Sequence, residues 1–384
     1  MDQRRPGEIR DAIVGFLSER GAEASVAEIR AAVASHFKSL APSSVRSYLR
    51  LNTGILFERT GHGTYALADG QREMQVVPPS RARVSPVFTF GKCKLFQSDC
   101  LDWIRAQPER SVHAVVTDPP YGLVEYTDKE QKKLRRGKGG VWRIPPAFDG
   151  HQRSPLPRFT VLGQEDLAQL TSFFARWARA LMPILTPGAH VLVASNPLLS
   201  YLVAHAICGA GFERRGEIVR LVMTMRGGDR PKNAHTEFPD VSVMARSMWE
   251  PWLVFRKPLE GRVQDNLRKW KTGGLRRPSA ERPFGDVLKS HPTRKEERAL
   301  APHPSLKPQA FLRRIVRAVL PMGDGIVLDP FAGSGSTLAA AEAIGYASVG
   351  VERDAQYVAL AERAIPRLAA FRREEDKSNL FEIV

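Results

Sequence analysis

The chain has 384 residues, 43% of them hydrophobic and 26% charged, enough for two or three domains with at least one sizeable core. No apolar run approaches the roughly 20 residues of a membrane span, and no apolar stretch follows the charged N-terminus, so neither a transmembrane segment nor a secretory signal is expected. Lysine and arginine number 57 against 41 acidic residues, a formal charge of +16; this excess favours a polyanionic partner through counterion release, although solubility or arginine-rich codon usage also produces it.

Ile9, Ile13, Phe16 and Leu17 recur at helical spacing over residues 8–20, and Gly21 ends that helix. Ser25 followed by Glu28 is a capping-box pattern that opens a second helix over 25–36. A third is expected over about 42–52, carrying Ser43, Ser44, Arg46, Ser47 and Arg50. Residues 54–67 read as a strand, a Gly-His-Gly turn and a strand. Three short helices and a hairpin resemble the winged helix-turn-helix modules fused to chromatin and transcription proteins, which assigns residues 1–70 to such a domain. That resemblance implies that the five polar residues of the third helix face DNA, with protein association as the competing role. Residues 71–86, rich in proline, serine and charge, read as a linker.

From Val87 onward short apolar strands alternate with helices, an α/β signature. Strands are expected at 113–117, 190–194, 325–329 and 347–351, and helices near 166–182, 198–210, 308–320, 336–344 and 354–371. Two basic segments interrupt the rhythm, 122–162 and 256–300; structureless stretches this long are functional or disordered. The first contains Lys132, Lys133, Arg135 and Arg136, the second Arg268, Lys269, Lys271, Arg276 and Arg277. Residues 375–384 read as a tail. Cys93, Cys100 and Cys208 form no CxxC pair, so neither a metal site nor a disulfide framework is expected, and a reducing cytoplasm suits the chain. His113 and His235 read as structural, and Met223 and Met225 as strand core.

The sharpest motif is Asp118-Pro119-Pro120-Tyr121, directly after the strand HAVVT. This tetrapeptide resembles the catalytic motif of amino methyltransferases, whose substrate, an aromatic exocyclic amine, is a poor nucleophile because its lone pair is delocalised into the ring. The Asp118 carboxylate and the Pro119 carbonyl can each accept one of its N–H groups and aim the lone pair, so that positioning and electrostatics do the catalysis. The prolines stiffen the turn, and Tyr121 offers a face for an extruded base. The second motif, Asp329-Pro330-Phe331-Ala332-Gly333-Ser334-Gly335-Ser336-Thr337, joins a strand to a helix. Such a glycine-rich turn lets backbone approach a ligand at the carboxyl edge of a sheet; a phosphate loop is unlike it, for want of Gly-Lys-Ser/Thr.

Together the two motifs resemble the catalytic tetrapeptide and the cofactor loop of amino DNA methyltransferases. Their order, catalytic strand before cofactor loop, is similar to the beta class of that family over residues 87–374. The resemblance implies a doubly wound, mostly parallel Rossmann-like sheet, S-adenosylmethionine as methyl donor and S-adenosylhomocysteine as product, no metal, and double-stranded DNA as substrate. It implies that Glu352, with Arg353 beside it, binds the ribose, and that His303, Ser305 and Lys307 of an H-P-x-x-K-P element contact the cofactor. It likewise implies that Asp99, followed by Cys100, binds the cofactor's adenine. Residues 122–162 are then expected to close over the flipped base, and 256–300 to recognise the target through its cations. Asp118, where family members acting on cytosine N4 often carry serine, points to adenine N6, with cytosine N4 as the alternative. Trp249-Glu250 resembles a family position near the target base, with core packing as the equal reading of Trp249 and Trp252. The family also admits a homodimer and a cognate restriction endonuclease. A DNA-binding regulator with a silent methyltransferase fold and an RNA methyltransferase are the competing functions.

Overall fold

Val115, Val191, Val193 and Leu253 face one side of a large sheet, and Ala114, Val116, Leu192, Trp252 and Val254 face the other. This period of two, apolar on both sides, belongs to a sheet buried between two layers of helices. The computed structural model describes residues 8–35, 37, 42–53, 56–68, 85–120, 163–222, 228, 230–231, 233–303 and 305–372. The chain divides into two units, residues 1–82 and 83–384.

The first unit holds helices α1 (Glu8–Arg20), α2 (Val26–Ala34) and α3 (Pro42–Leu51) and strands β1 (Ala24–Ser25), β2 (Phe57–Gly61) and β3 (Thr64–Leu67), the strands paired in the order β1-β3-β2. Ile9, Ile13 and Leu17 of α1 pack with Ile29 and Val33 of α2, Val45 and Leu49 of α3, and Phe57 and Leu67 of the hairpin. The capping box expected at Ser25 is formed. Its Oγ accepts from Glu28 N at 3.2 Å, and Glu28 Oε2 accepts from Ser25 N at 2.8 Å. Two donors that the first helical turn leaves unpaired are thereby satisfied.

In the second unit the strands are β4 (Phe88–Phe90), β5 (Cys93–Gln97), β6 (Val112–Thr117), β7 (Leu185–Ala194), β8 (Glu213–Leu221), β9 (Trp249–Arg256), β10 (Val287–Lys289), β11 (Ile326–Asp329) and β12 (Ala347–Glu352). They lie in the order β10-β8-β9-β7-β6-β11-β12-β5-β4. Strands β5, β12, β11, β6 and β7 run parallel, β9 runs antiparallel between β7 and β8, and β4 is an antiparallel edge. Helices α4 (Cys100–Arg105), α5 (Gln164–Ile184) and α6 (Ser200–Gly209) share one core with one face of the sheet; α9 (Gln309–Val319) packs on the other face, with α10 (Ser336–Ala343) and α11 (Ala355–Ala370) beside it. This is the doubly wound, mostly parallel architecture expected from the motif order. Strands β6 and β11 are neighbours although some 200 residues separate them in the chain, so the order of strands reverses between them. In open α/β sheets the crevice at that reversal, outside the carboxyl ends, is where ligands bind.

One expectation is corrected. Residues 256–300 are not a structureless insertion; they form α7 (Val263–Trp270), strand β10 and α8 (Lys295–Leu300). Asn266 is fully buried and donates to the carbonyls of Pro187 and Thr272 at 2.9 and 2.8 Å, which pins α7 beneath the start of β7. Segment 122–162, the linker core 71–84 and the tail lie outside the described residues. Among the described residues no helix is long and apolar enough to cross a membrane.

Candidate active site

Four parallel strands end side by side, and each delivers a carboxylate to the same edge. Asp118 follows β6, Asp329 closes β11, Glu352 closes β12 and Asp99 follows β5. Their registry fixes this row: Leu328 pairs with Val115, Asp329 with Gly350, and Glu352 with Gln97. The Asp118 turn and the glycine loop therefore meet in one cleft, with about 340 Å³ of empty space, whose lining includes Asp118, His303, Lys307, Asp329, Phe331 and Gly333.

A buried tie joins the two motifs. Thr117, the residue before Asp118, donates its hydroxyl to Asp329 Oδ1 at 2.7 Å, and Phe331 N donates to the same oxygen at 3.2 Å. Burial pushes the Asp329 carboxyl up to about 6 from an ordinary 3.8, against the pull of the Thr117 and Thr337 hydroxyls. A carboxylate whose folded pKa is raised weakens the fold as pH climbs from its unfolded value to its folded one, because only the unfolded chain ionises freely there. Asp329→Asn, which keeps an acceptor and removes the charge, is expected to gain stability relative to wild type with rising pH. The gain between pH 5 and pH 7.5 should be about 1 kcal/mol, read from urea unfolding at both values. A difference that does not change with pH would contradict the buried charge.

Asp118 is largely enclosed and is not alone. Its Oδ2 lies 2.5 Å from Lys307 Nζ, and the same ammonium is 3.5 Å from Glu250 Oε1 on β9. Glu250 Oε2 in turn pairs with Arg220 of β8 at 2.7 Å. Burial disfavours the Lys307 charge, but Asp118 and then Glu250 more than offset this and hold its pKa above the ordinary lysine value. Burial likewise opposes ionisation of Glu250, and Lys307 followed by Arg220 overcomes it, so that carboxyl sits below its usual range. The sequence reading set Lys307 against the cofactor; the structure places it on the Asp118 carboxylate. It missed Arg220, Glu250's cation, and Thr117. A Trp-Glu pair before a strand was the one available signal for Glu250, whereas an arginine in a strand carries none. Trp252 is fully buried against Phe311, with ring centroids 5.4 Å apart, so it is core.

The glycine loop has the geometry its composition implies. Gly333 and Gly335 take φ of +50° and +77°, a region that side chains with a Cβ enter only with strain. A Cβ on Gly333 would come 3.2 Å from His303 Nε2, narrowing the cleft. Gly333 N donates to Glu352 Oε2 at 2.8 Å, which fastens the loop to the next strand. His303 stacks edge-on against Tyr357 at 4.6 Å, and its Nδ1 accepts from Ser305 N at 3.2 Å. Burial first, and then Lys307, lowers its pKa to about 4, so the ring is neutral at neutral pH. Phe331 is braced by Trp177 and Phe173, with centroids 6.0 and 6.1 Å away. Asp99 caps α4 through Leu101 N at 2.8 Å, and burial drives the Cys100 thiol up to about 12, so it is an unreactive core residue.

The expected DNA contacts fare differently. Arg268, Lys269, Lys271 and Arg276 lie with Arg110, Pro187 and Tyr346 at the amino ends of the parallel strands, the edge opposite the cleft, and Arg277 follows in the chain. Arg276 Nη1 donates to Tyr346 Oη at 2.6 Å, and Arg110 lies over the Trp270 ring at 5.2 Å. In the first half of 256–300 these cations therefore stand at the strand edge opposite the cleft. The second half returns through β10 to the cleft side, where Ser290 and His291 contact Arg220. Tyr121 and the cations Lys132, Lys133, Arg135 and Arg136 lie outside the described residues, as do the side chains of Ser43 and Ser44. Among the described residues no group of three or more His, Cys, Asp or Glu is placed to hold a metal ion.

Residues 112–363 match the family model for N6 and N4 DNA methylases, a span that includes both motifs. The chain belongs to the DNA methylase family. Its relatives include the type II methyltransferase M.HindIII of Haemophilus influenzae, 23% identical over 287 residues that cover 68% of this chain and 91% of that protein. M.HinfI, also from Haemophilus influenzae, is 23% identical over 71% of this chain and 67% of its own length. Among solved structures, the cytosine-N4-specific PvuII DNA methyltransferase is 16% identical over 77% of this chain and 94% of that one, with a TM-score of 0.48. As a DNA methylase the chain takes its methyl group from S-adenosylmethionine. The cleft suits that cofactor. The carboxylates of Asp118 and Asp329 line it, its glycines bring backbone close, and a side chain at Gly333 would narrow the space against His303.

Proposed function

We propose that this DNA methylase modifies the N6 amino group of adenine at a specific duplex site, on a base turned out of the helix. The observation that carries the choice is Asp118 itself: a carboxylate, rather than a serine hydroxyl, stands at the end of β6 beside the glycine loop. When bound, S-adenosylmethionine supplies a methyl carbon activated by a sulfonium sulfur. The chain's own residues do the positioning. Asp118 accepts one N–H of the target amine and the Pro119 carbonyl the other, which localises the nitrogen lone pair and supports the positive charge that develops there. Phe331, Gly333, Ser334, Ser336, Thr337, Glu352 and Asp99 are the residues that would hold the cofactor along the row of strand ends, with His303 and Ser305 closing one side. A paired amino group is inaccessible inside the duplex, which is the physical reason for extrusion.

The first unit supports a second contact with DNA. Val45 and Leu49 bury one side of α3, while Arg46, Ser47 and Arg50 are exposed on the other. That is the arrangement of a recognition helix in a winged helix-turn-helix, the reading we adopt for residues 1–70. Kinship with type II methyltransferases supports a cognate restriction endonuclease, and a homodimer is the assembly we infer by the same kinship. The decisive experiment incubates the protein and labelled S-adenosylmethionine with amplified, unmodified host genomic DNA, then digests the product to nucleosides for mass spectrometry. N6-methyladenine is the expected product; N4-methylcytosine alone would overturn the base assignment.

A further inference from the structure

Four charges alternate through the floor of the cleft: Asp118, Lys307, Glu250 and Arg220. They sum to zero, and all four are largely enclosed, with side-chain exposures of 15%, 10%, 16% and 5%. Glu250 is rigidly held. Arg220 grips its Oε2, and is itself fixed by Ser290 Oγ at 3.0 Å, by the His291 carbonyl at 3.0 Å and over the Phe311 ring at 5.1 Å. The other oxygen of Glu250, Oε1, is buried and makes no hydrogen bond among the described residues. It points at Lys307 Nζ from 3.5 Å, so the ammonium has to move only about 0.7 Å to reach a charge-assisted bonding distance. A lysine stem flexes easily over that range.

We propose that Glu250 is a positioning residue that receives the Lys307 ammonium from Asp118 when the target amine enters, an inference that rests on the methyltransferase reading above. Two requirements argue for the transfer. With Lys307 seated on it, Asp118 is a neutralised and partly occupied acceptor, poorly suited to a neutral N–H donor. The amine also becomes positively charged as it reacts, and a cation held against its acceptor opposes that charge in a low-dielectric cleft. Shifting Lys307 onto Glu250 restores the full charge of Asp118 while the network stays balanced. Arg220, Ser290 and His291 serve the same end by keeping Glu250 in place.

The test is single-turnover methyl transfer to amplified, unmodified host genomic DNA at saturating S-adenosylmethionine, with cofactor affinity measured separately by calorimetry. Glu250→Gln keeps the shape and removes the charge, leaving Lys307 clamped on Asp118. The expected result is a rate at least tenfold below wild type with cofactor Kd within threefold. Adding Lys307→Gln to Glu250→Gln is expected to bring no further loss, since the clamp itself is gone. A merely structural role gives the opposite, two losses that multiply. If Glu250→Gln does not stay folded, Glu250→Asp, which withdraws the carboxylate by one methylene, takes its place under the same criteria. A rate loss below tenfold, a loss that follows cofactor affinity, or multiplying losses in the double variant overturns the proposal. Absence of transfer by the wild-type protein would instead overturn the function on which it rests.

Discussion

Asp118→Ala is expected to lower methyl transfer to DNA by roughly 10³-fold, the scale on which losing one preorganised group aimed at developing charge is felt. The loss should appear in the chemical step. Asp118 stands at the end of β6, whereas the glycine loop is held by Asp329 and Glu352, through bonds from Phe331 N and Gly333 N that the substitution leaves intact. Cofactor affinity is therefore expected to stay within about threefold, less than 1 kcal/mol. Removing one anion from a balanced network still leaves Lys307 beside Glu250. We expect about 1–2 kcal/mol of lost stability, less than for an isolated buried pair because that second partner remains. Asp118→Asn separates acceptor from charge. Its amide oxygen still accepts an N–H bond but supports no positive charge, so it should fall between alanine and wild type. Equal activity of Asp118→Ala and wild type in a tritiated methyl transfer assay would remove this carboxylate from the mechanism.

What the sequence made legible followed from local rules. The strand candidates at 113–117, 190–194, 325–329 and 347–351 lie within β6, β7, β11 and β12 or overrun them by one residue, because uninterrupted apolar runs bounded by turn residues have few other ways to bury both faces. The two motifs share a cleft because each sits at a strand's carboxyl end, and strands β6 and β11 are neighbours. The reading of 256–300 as structureless fails for an equally physical cause. Charge density and proline content describe a segment's exposure, not the edge of the sheet to which it returns. Asn266, a polar residue in a basic helix, is what anchors α7, by bonding carbonyls distant in sequence. Pairing of Arg220 with Glu250 is illegible for a related reason: it depends on the antiparallel register of β8 against β9, in which Arg220 lies opposite Glu250.

Gly335→Ala is expected to cost about 2–5 kcal/mol of folding stability, the sum of left-handed backbone strain and overpacking. Gly335 caps α10 with φ +77° and ψ 22°. A Cβ there would lie 2.4 Å from Ile365 Cγ1 and 2.7 Å from its Cδ1. Ile365 is fully buried in α11 and shares a core cluster with Ala361, Ala364 and Leu368, so it cannot swing away as a surface side chain would. Relief must come from the loop, and the loop carries Gly333 and Ser334 into the cleft, so cofactor affinity should fall along with stability. Gly333→Ala provides the contrast. The nearest atoms to its Cβ belong to the His303 ring, at 3.2 Å, so we expect about 1 kcal/mol of backbone strain and a loss concentrated in cofactor binding. Urea unfolding and calorimetric titration with S-adenosylmethionine on both variants distinguish these roles. If Gly335→Ala unfolded within about 0.5 kcal/mol of wild type, a margin usual for harmless surface changes, the α10–α11 contact would not be what shapes the loop.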